Sequence, residues 1–269
     1  YELNDQCPLG AAASYGVPLP IDRELTARLL GFSRPIHNVL YAINARGKLE
    51  TALLGALGQV MLSLARLAQD LMLYSLPEFG YFSFPSEYGT GSSIMPQKNN
   101  PDVLELVRAR SATVWALQMN TAEIARGLPS GYHRDLQETK GPLFDGLAIT
   151  RSSVRILALL ARGLTVHPER LKAGFTPGVF ATDRALELVA AGTPFREAYQ
   201  QVKERLGELE TRDPAAALAA KTHAGAPAGL DWEAYADRVG AGRDWVQAER
   251  QEFYGAVSQL MGVRYPPAD

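Results

Sequence analysis

The chain has 269 residues, of which 46% are hydrophobic and 21% charged, and its formal net charge is −2. This length allows one or two domains with a sizeable core, and the small net charge leaves no electrostatic footprint for nucleic acid. Its single cysteine, Cys7, excludes an internal disulfide and favours a reducing compartment. No run of about 18 uninterrupted apolar residues occurs, so we expect no membrane span.

The first elements predicted along the chain are helices. Asp22 is a candidate N-cap for a short helix that runs to Leu30, with Gly31 following its end. Residues 34–44 predict a second helix. In 49–74, apolar residues recur at spacings of three and four, which predicts the longest helix. Few polar residues interrupt it, so we expect burial on most sides, in a bundle formed with other subunits.

The next segment, 89–101, combines flexible backbone, two hydroxyls, a cation and a helix start. It reads Gly-Thr-Gly-Ser-Ser-Ile-Met-Pro-Gln-Lys-Asn-Asn-Pro. Asn100 is the predicted N-cap and Pro101 the predicted first residue of the following helix. The unpaired N–H groups of a helix N-terminus attract anions, and Lys98 adds a full positive charge. The segment therefore predicts a site for a carboxylate substrate, with both serines close by.

The rest of the chain is also predicted to be helical. Strand patterns are nearly absent, and 164–178 reads as a break between longer and shorter helices. Helices are predicted over 102–126, 143–162, 231–239 and 244–261. A further helix is predicted to be capped by Thr182 or Asp183 and to end before Gly192, and another to open at Thr193-Pro194. An Ala-rich helical turn is predicted within 213–229. The predicted fold class is all-α.

The motifs of the chain resemble those of a known family. The pattern Gly-Ser-Ser-x-Met-Pro-x-Lys-x-Asn-Pro is the signature of the fumarase/aspartase superfamily, and 91–101 matches every fixed position. Within this superfamily the chain is similar to the argininosuccinate lyases, because fumarases and aspartases typically have Gly at the position that Gln97 occupies here. Asn99 departs from that family, where many members have a second Lys. The shared segments are 8–10, 20–23, 95–98, 127–132, 135–138 and 181–183.

The resemblance implies an architecture and an assembly. It implies a long-helix bundle, the central lyase domain, over 1–170 and a smaller helical C-terminal domain over 171–269. It also implies a cytoplasmic homotetramer whose active sites are shared between subunits. Family subunits carry an acid/base His in a region upstream of the part that this chain resembles, and no histidine here lies in such a motif. We therefore expect the chain to be the C-terminal part of a subunit.

The resemblance also implies a reaction. Argininosuccinate would be cleaved to arginine and fumarate by proton abstraction beside a carboxylate and elimination of the C–N bond, without cofactor or metal. Ser92 matches the catalytic base, and Glu105 matches the glutamate that orients the catalytic His. The intermediate is dianionic, so positive groups must stabilise it. Taken alone, Glu105 would be an ordinary acidic residue in a first helical turn.

The resemblance assigns the remaining candidates to substrate binding. Without the motif, Tyr132, Gln137 and Lys140 would read as an ordinary solvated loop, and we interpret Arg46 as structural and His133 as a surface residue. The residues that match family substrate contacts are Ser93, Lys98, Asn100, Tyr132, Gln137 and Lys140.

Other functions stay open at this point. One is a different fumarate-releasing lyase, of the adenylosuccinate, aspartate or malate type. Another is a non-catalytic, crystallin-like or truncated relative, or a helical oligomerisation module. The intact set of matched polar residues favours an enzyme.

Overall fold

The computed structural model describes residues 1–91, 94–95 and 99–266, and this part of the chain is predominantly helical. Its α-helices are α1 Arg23–Leu29, α2 Val39–Asn44, α3 Lys48–Ser75, α4 Asp102–Ala125, α5 Lys140–Gly163, α6 Pro168–Ala173, α7 Ala181–Ala190, α8 Phe195–Glu204, α9 Pro214–Ala219 and α10 Trp232–Met261. The all-α prediction is therefore confirmed.

The strands have two residues each and form three isolated pairs. They are β1 Gln6–Cys7, β2 Arg34–Pro35, β3 Phe82–Ser83, β4 Thr90–Gly91, β5 Asn99–Asn100 and β6 Thr165–Val166. The first pair, β1 with β2, is parallel, whereas β3 with β6 and β4 with β5 are antiparallel. None of these pairs is extended to a third strand, so they fix loops rather than build a core.

The chain divides into two compact units. Unit 1 comprises Tyr1–Met72, Pro85–Gly163 and Gly242–Asp269, and unit 2 comprises Leu73–Phe84 and Leu164–Ala241. All of the predicted site residues belong to unit 1. The domain boundary predicted between residues 170 and 171 stays a prediction.

Unit 1 is built around α3, α4 and α5. Gly58 of α3 allows close approach to α4, since a Cβ there would lie 3.1 Å from the Trp115 ring. Further along, Arg108 Nη1 donates to Gln69 Oε1 at 2.6 Å, so α3 and α4 run antiparallel. The predictions of long helices over 49–74, 102–126 and 143–162 are confirmed to within three residues at each end. The buried apolar residues of this bundle include Leu54, Met61, Leu104, Val107, Val114, Leu157 and Leu160.

Two short helices precede the bundle. The N-cap prediction for α1 is confirmed, because Asp22 Oδ1 accepts the Leu25 N–H at 2.8 Å. The second helix begins five residues later than predicted, at Val39, where Asn38 is the N-cap. The prediction for 34–38 was wrong because a residue before proline disfavours helical backbone, and Arg34–Pro35 instead pairs as β2.

The start of α4 also differs from the prediction. The helix begins at Asp102, and Pro101 is its N-cap, with φ −81° and ψ 54°. Asn100 lies one residue further out in β5, paired with Thr90, so its backbone is extended rather than capping. The Thr90 hydroxyl donates to the Asp102 carboxylate. Asn100 is therefore not the N-cap.

Unit 2 has a smaller core. Phe180 is buried there and stacks on Phe175 with 6.0 Å between ring centroids. A 3₁₀ turn, Pro177–Phe180, runs directly into α7, so Phe180 occupies the cap position and neither Thr182 nor Asp183 caps the helix. The helix predicted to open at Thr193-Pro194 is confirmed as α8, which starts at the next residue.

The C-terminal helix is longer than predicted. Two helices were expected over 231–239 and 244–261, but α10 is continuous from Trp232 to Met261. Gly240 and Gly242 do not interrupt it, because an isolated glycine inside a helix costs only about 1 kcal/mol. The Ala-rich turn within 213–229 is confirmed as α9, which Asp213 caps through its side chain.

The long helix α3 leaves much apolar surface uncovered within one chain. It is long and apolar enough to cross a membrane by length and composition, and 22% of its most apolar window is buried. One such helix is weak evidence for a membrane span, since core helices pass the same test. Helices α4 and α5 also carry exposed apolar residues. The exposed apolar residues of α3, α4 and α5 include Val60, Leu62, Leu67, Leu106, Met119, Phe144, Leu147, Val154 and Leu159. This surface lacks a covering within the described residues of one chain.

Candidate active site

One group of predicted site residues lies where α4 ends and α5 begins. Tyr132 is 50% exposed, and a 3₁₀ helix over Arg134–Gln137 follows it directly. Hydrogen bonds to the Tyr132 hydroxyl, first from Gln137 and then from Arg134, stabilise the phenolate and lower the pKa of Tyr132 below its ordinary value. The structure therefore brings together two of the residues that match family substrate contacts, Tyr132 and Gln137.

The segment before Tyr132 is held by α2. Asn44, the last residue of that helix, donates from Nδ2 to Ser130 Oγ at 3.1 Å. Its Oδ1 accepts the Gly131 N–H at 2.9 Å. Gly131 has φ +119° and packs so closely that a Cβ there would lie 3.2 Å from the Tyr15 hydroxyl oxygen. One amide side chain thus fixes the backbone immediately before Tyr132.

Arg46 holds the segment after Tyr132. Its Nη2 donates to the Leu136 carbonyl at 3.2 Å, and its guanidinium carbon lies 5.7 Å from the centroid of the Tyr132 ring. The charge of Arg46 also contributes a smaller part of the lowering of the Tyr132 pKa. A cleft of about 280 Å³ opens beside these contacts, and its lining includes Asn44, Arg46, Lys48, Ser130, Gly131 and His133.

The start of α3 packs against the same region, at the end of α4 and the 3₁₀ helix. Gly47 has φ +78°, and a Cβ there would lie 2.8 Å from the Ala125 Cβ and 3.3 Å from Leu136 Cδ2. The Gly47 N–H donates to Glu50 Oε2 at 2.6 Å. The end of α4, the start of α3 and the 3₁₀ helix therefore meet around a position that a side chain would disrupt.

Lys140 lies at the first position of α5, three residues after Gln137, and is exposed. The structure places it at the same end of the bundle as Tyr132. His133, expected at the surface, is half-buried and lines the cleft, with Nε2 2.8 Å from the Pro129 carbonyl oxygen. Its imidazole therefore folds back onto its own segment.

The second group of predicted residues lies, in the sequence, just before α4 and in its first turn. Ser92, Ser93 and Lys98 lie outside the described residues. Asn100 is half-buried in β5. Glu105 is exposed in the first turn of α4, with its N–H donating to the Pro101 carbonyl at 3.1 Å. These two are close in sequence to the serine segment but not to Tyr132.

The length of α4 keeps the two groups apart within one chain. Glu105 and Ala125 are separated by twenty residues of continuous helix. At 1.5 Å per residue this is about 30 Å. Ala125 lies next to Gly47 and hence to the Tyr132 end. A single chain therefore does not bring Glu105 and Tyr132 into one site.

Two polar residues at the Tyr132 end were missed from the sequence, Asn44 and Ser130. Ser130 lies within the family-like segment 127–132 but was given no role there, and no motif marks Asn44. Arg46, interpreted as structural, turns out to contact the Tyr132 ring. Over the part of the chain that the structure describes, no group of three His, Cys, Asp or Glu side chains could hold a metal ion.

The chain is similar in sequence to known lyases. Residues 2–116 match the family described as Lyase. The chain is 46% identical over 237 residues to the argininosuccinate lyase of Sorangium cellulosum (strain So ce56), covering 88% of this chain and 55% of that protein. It is 45% identical over 231 residues to that of Stenotrophomonas maltophilia (strain K279a), covering 86% and 53%. The chain belongs to the argininosuccinate lyase family. It spans about half the length of these relatives.

Solved structures of other lyases have a fold similar to that of this chain. EDDS lyase in complex with formate is 21% identical to this chain, with a TM-score of 0.71, covering 97% of this chain and 60% of that one. Class II fumarase from Schistosoma mansoni is 18% identical with a TM-score of 0.60, covering 77% and 52%. Both support the predicted long-helix bundle fold.

Proposed function

We propose that this chain is part of an enzyme that cleaves argininosuccinate to arginine and fumarate, a step of arginine biosynthesis, without a metal or cofactor. One observation carries the proposal. In a chain about 45% identical to argininosuccinate lyases, two residues that match the family's substrate contacts, Tyr132 and Gln137, meet in a hydrogen bond beside a cationic side chain.

The Tyr132 end is suited to hold a polar, charged substrate. Tyr132 and Gln137 offer a hydroxyl and an amide, and Lys140 adds a flexible ammonium one turn further on. A carboxylate between the hydroxyl and the ammonium would gain charge-assisted hydrogen bonds. We therefore assign Tyr132, Gln137 and Lys140 to substrate binding.

The chemistry itself is assigned to the other end. Ser92 is proposed as the base that removes the proton beside the substrate carboxylate, after which the C–N bond breaks. Ser93, Lys98 and Asn100 would bind the carboxylate whose charge grows in the intermediate. Glu105 would orient an acid/base His contributed by another subunit.

About 30 Å of helix separates the two ends of α4. One active site would therefore take its residues from more than one chain. In an antiparallel pairing of α4 helices from two chains, the Ser92 end of one chain would meet the Tyr132 end of the other. The same pairing would cover apolar residues such as Leu106 and Met119, which are exposed in one chain. We propose a homotetramer with a core of long helices, working in the cytoplasm on a small-molecule substrate.

A substrate panel tests the reaction. The intact gene product is assayed with argininosuccinate, adenylosuccinate, malate and aspartate, with fumarate release followed by absorbance. We expect turnover of argininosuccinate alone. Turnover confined to another of the four would assign a different fumarate-releasing lyase, and no turnover of any would favour the non-catalytic, crystallin-like alternative.

A mixing experiment tests the shared site. Subunits with Ser92→Ala and subunits with Tyr132→Ala are unfolded, mixed and refolded together, with each variant refolded alone as the control. If one site takes Ser92 and Tyr132 from different chains, about a quarter of the sites in equal mixtures regain both residues. Mixtures no more active than the single variants would mean that both residues come from the same chain. Light scattering should find a tetramer, and a stable monomer would contradict the assembly.

A further inference from the structure

The short segment Asn44–Arg46 at the end of α2 contacts both sides of Tyr132. We propose that Asn44 and Arg46 are positioning residues, which fix the backbone and ring that present Tyr132 and Gln137 to the substrate. The inference rests on the proposed function of Tyr132 and Gln137, and it adds two residues that act through them.

The segment that carries Tyr132 has little structure of its own. Between Arg126 and His133 it forms no helix or strand, and it contains two glycines with positive φ, Gly127 at +80° and Gly131 at +119°. Glycine has no side chain to restrict its backbone, so such a segment populates many conformations unless other contacts hold it. Precise presentation of Tyr132 therefore requires contacts from elsewhere.

Asn44 supplies the contact before Tyr132. It uses a donor and an acceptor at once, to Ser130 Oγ and from the Gly131 N–H. Using both ends of the amide fixes its orientation, and a carboxylate at this position would keep only the acceptor. The backbone of Gly131 is thereby held in a conformation that side-chain-bearing residues rarely adopt.

Arg46 supplies the contact after Tyr132. Its hydrogen bond to Leu136 holds the 3₁₀ helix that ends at Gln137. Its guanidinium also lies over the Tyr132 ring, an attraction between a cation and an aromatic face. Arg46 follows a helix end and precedes the tightly packed Gly47, so it is itself held in place. Ring and 3₁₀ helix are thus fixed to each other through one side chain.

A neighbouring cation provides a matched control. Lys48 lines the same cleft and carries the same charge, but its Nζ donates to the Tyr41 hydroxyl at 3.1 Å and lies 5.2 Å over the Tyr41 ring. Arg46→Met and Lys48→Met therefore remove one positive charge each from the same cleft. Only the first removes contacts to the Tyr132 segment.

The kinetic test compares these two variants in the intact enzyme. Arg46→Met should raise KM for argininosuccinate about tenfold while kcat changes less than about threefold, because substrate binding rather than the base is disturbed. Lys48→Met should leave both near wild type, and Arg46→Lys, which keeps a donor and a charge, should recover at least half of the lost affinity. Equal KM values for Arg46→Met and Lys48→Met, or no recovery with Arg46→Lys, would overturn the proposal.

A second readout does not depend on activity. The protein is labelled with fluorotyrosine, the Tyr132 signal is assigned by its loss in Tyr132→Phe, and its ionisation is followed by ¹⁹F NMR. Arg46→Met should shift the Tyr132 titration to higher pH and broaden or move its signal, whereas Lys48→Met should do neither. An unchanged Tyr132 signal in folded Arg46→Met would refute the positioning role even if the enzyme used another substrate. Failure of the proposed reaction would instead leave wild type inactive with the NMR shift intact.

Asn44 is tested through its two hydrogen bonds. Asn44→Leu loses both and should raise KM severalfold, whereas Asn44→Asp keeps the acceptor for Gly131 and should fall between Leu and wild type. Circular dichroism melting establishes that each variant is folded. A folded Asn44→Leu enzyme with wild-type KM would remove Asn44 from the proposal.

Discussion

Each of the two compact units of the chain is stabilised internally by a different kind of interaction. Unit 1 is packed by buried leucines, valines and a methionine from three long helices, and its site is fixed by side-chain bonds to backbone. Unit 2 has a small core and relies more on charge: Glu187 of α7 binds both Arg184 and Arg212, and Asp183 binds Lys221 at 2.6 Å. Among the described residues, one ion pair, Arg126 with Glu123, lies in unit 1.

This difference assigns separate tasks to the units. All of this chain's proposed site residues are in unit 1, so substitutions of polar groups in unit 2 should leave activity unchanged. Substitutions in its core should cost the most stability, since a cavity between long helices cannot collapse easily. Unit 2 should respond to pH and salt through its ion pairs.

The largest expected effect is on the stability of unit 1. Leu54 is fully buried in α3, where it packs against Gly146 of α5. Leu54→Ala should lower the free energy of unfolding by about 2–5 kcal/mol. Leu186→Ala, at an exposed position of α7 in unit 2, is the control and should change it by less than about 0.5 kcal/mol. Urea unfolding of both variants decides this, and similar losses would contradict the role of buried Leu54 in the packing of unit 1.

The next effect is on catalysis at the serine segment. Ser92→Ala should lower turnover by about a hundredfold or more, because the proposed base is lost. Its stability should change by no more than about 0.5 kcal/mol. Ser86→Ala, in the exposed turn Ser86–Tyr88 of the same unit, is the control and should keep normal turnover. Near-normal turnover in Ser92→Ala would show that Ser92 is not the base.

A smaller effect is expected at Tyr132. Tyr132→Phe keeps the ring under Arg46 but loses the hydroxyl that bonds Gln137 and Arg134. We expect KM to rise about tenfold, equivalent to about 1.4 kcal/mol of binding free energy. Tyr235→Phe, an exposed position in unit 2, should leave KM unchanged. A wild-type KM in Tyr132→Phe would exclude its hydroxyl from substrate binding.

The sequence predicted the long helices because the apolar spacing over 49–74 is a local pattern. It grouped Tyr132 with Gln137 only through the family resemblance, and it predicted no hydrogen bond between them. It could not predict that Asn44 and Arg46 reach Ser130 and Leu136, because those contacts join residues about ninety positions apart and no pattern encodes them. Similarly, Asn100 has the right side chain for an N-cap, but strand pairing with Thr90 prevailed over that local preference.

Asp183 shows that a residue in a family-like segment can have a purely structural contact. It lies in segment 181–183, which carries part of the family resemblance, and the sequence predicts it as a candidate helix cap. In the structure it forms an ion pair with Lys221 within unit 2. A motif residue can thus serve the packing of a unit that contains none of the proposed chemistry.

The smallest expected effect is the response of unit 2 to acid. Hydrogen bonds from Arg212, and then from Arg184, lower the pKa of Glu187 from 4.5 to about 2. A carboxyl group with a lowered pKa in the folded state stabilises the fold fully above its unfolded pKa, and that contribution is lost as the pH falls from 4.5 through 2. Because the Glu187 side chain is 46% exposed, solvent screening reduces the contribution to about 1 kcal/mol or less.

Arg212→Met should therefore weaken protection of α7 from hydrogen exchange at pH 7, and its difference from wild type should shrink steadily below pH 4.5. Arg126→Met removes a more exposed cation, from the pair in unit 1, and should have almost no effect on exchange in either unit. High salt should reproduce part of the Arg212→Met effect in the wild-type protein, since screening weakens exposed pairs. If the difference instead stayed constant down to pH 2, the Arg212 contribution would come from its aliphatic packing rather than from its charge.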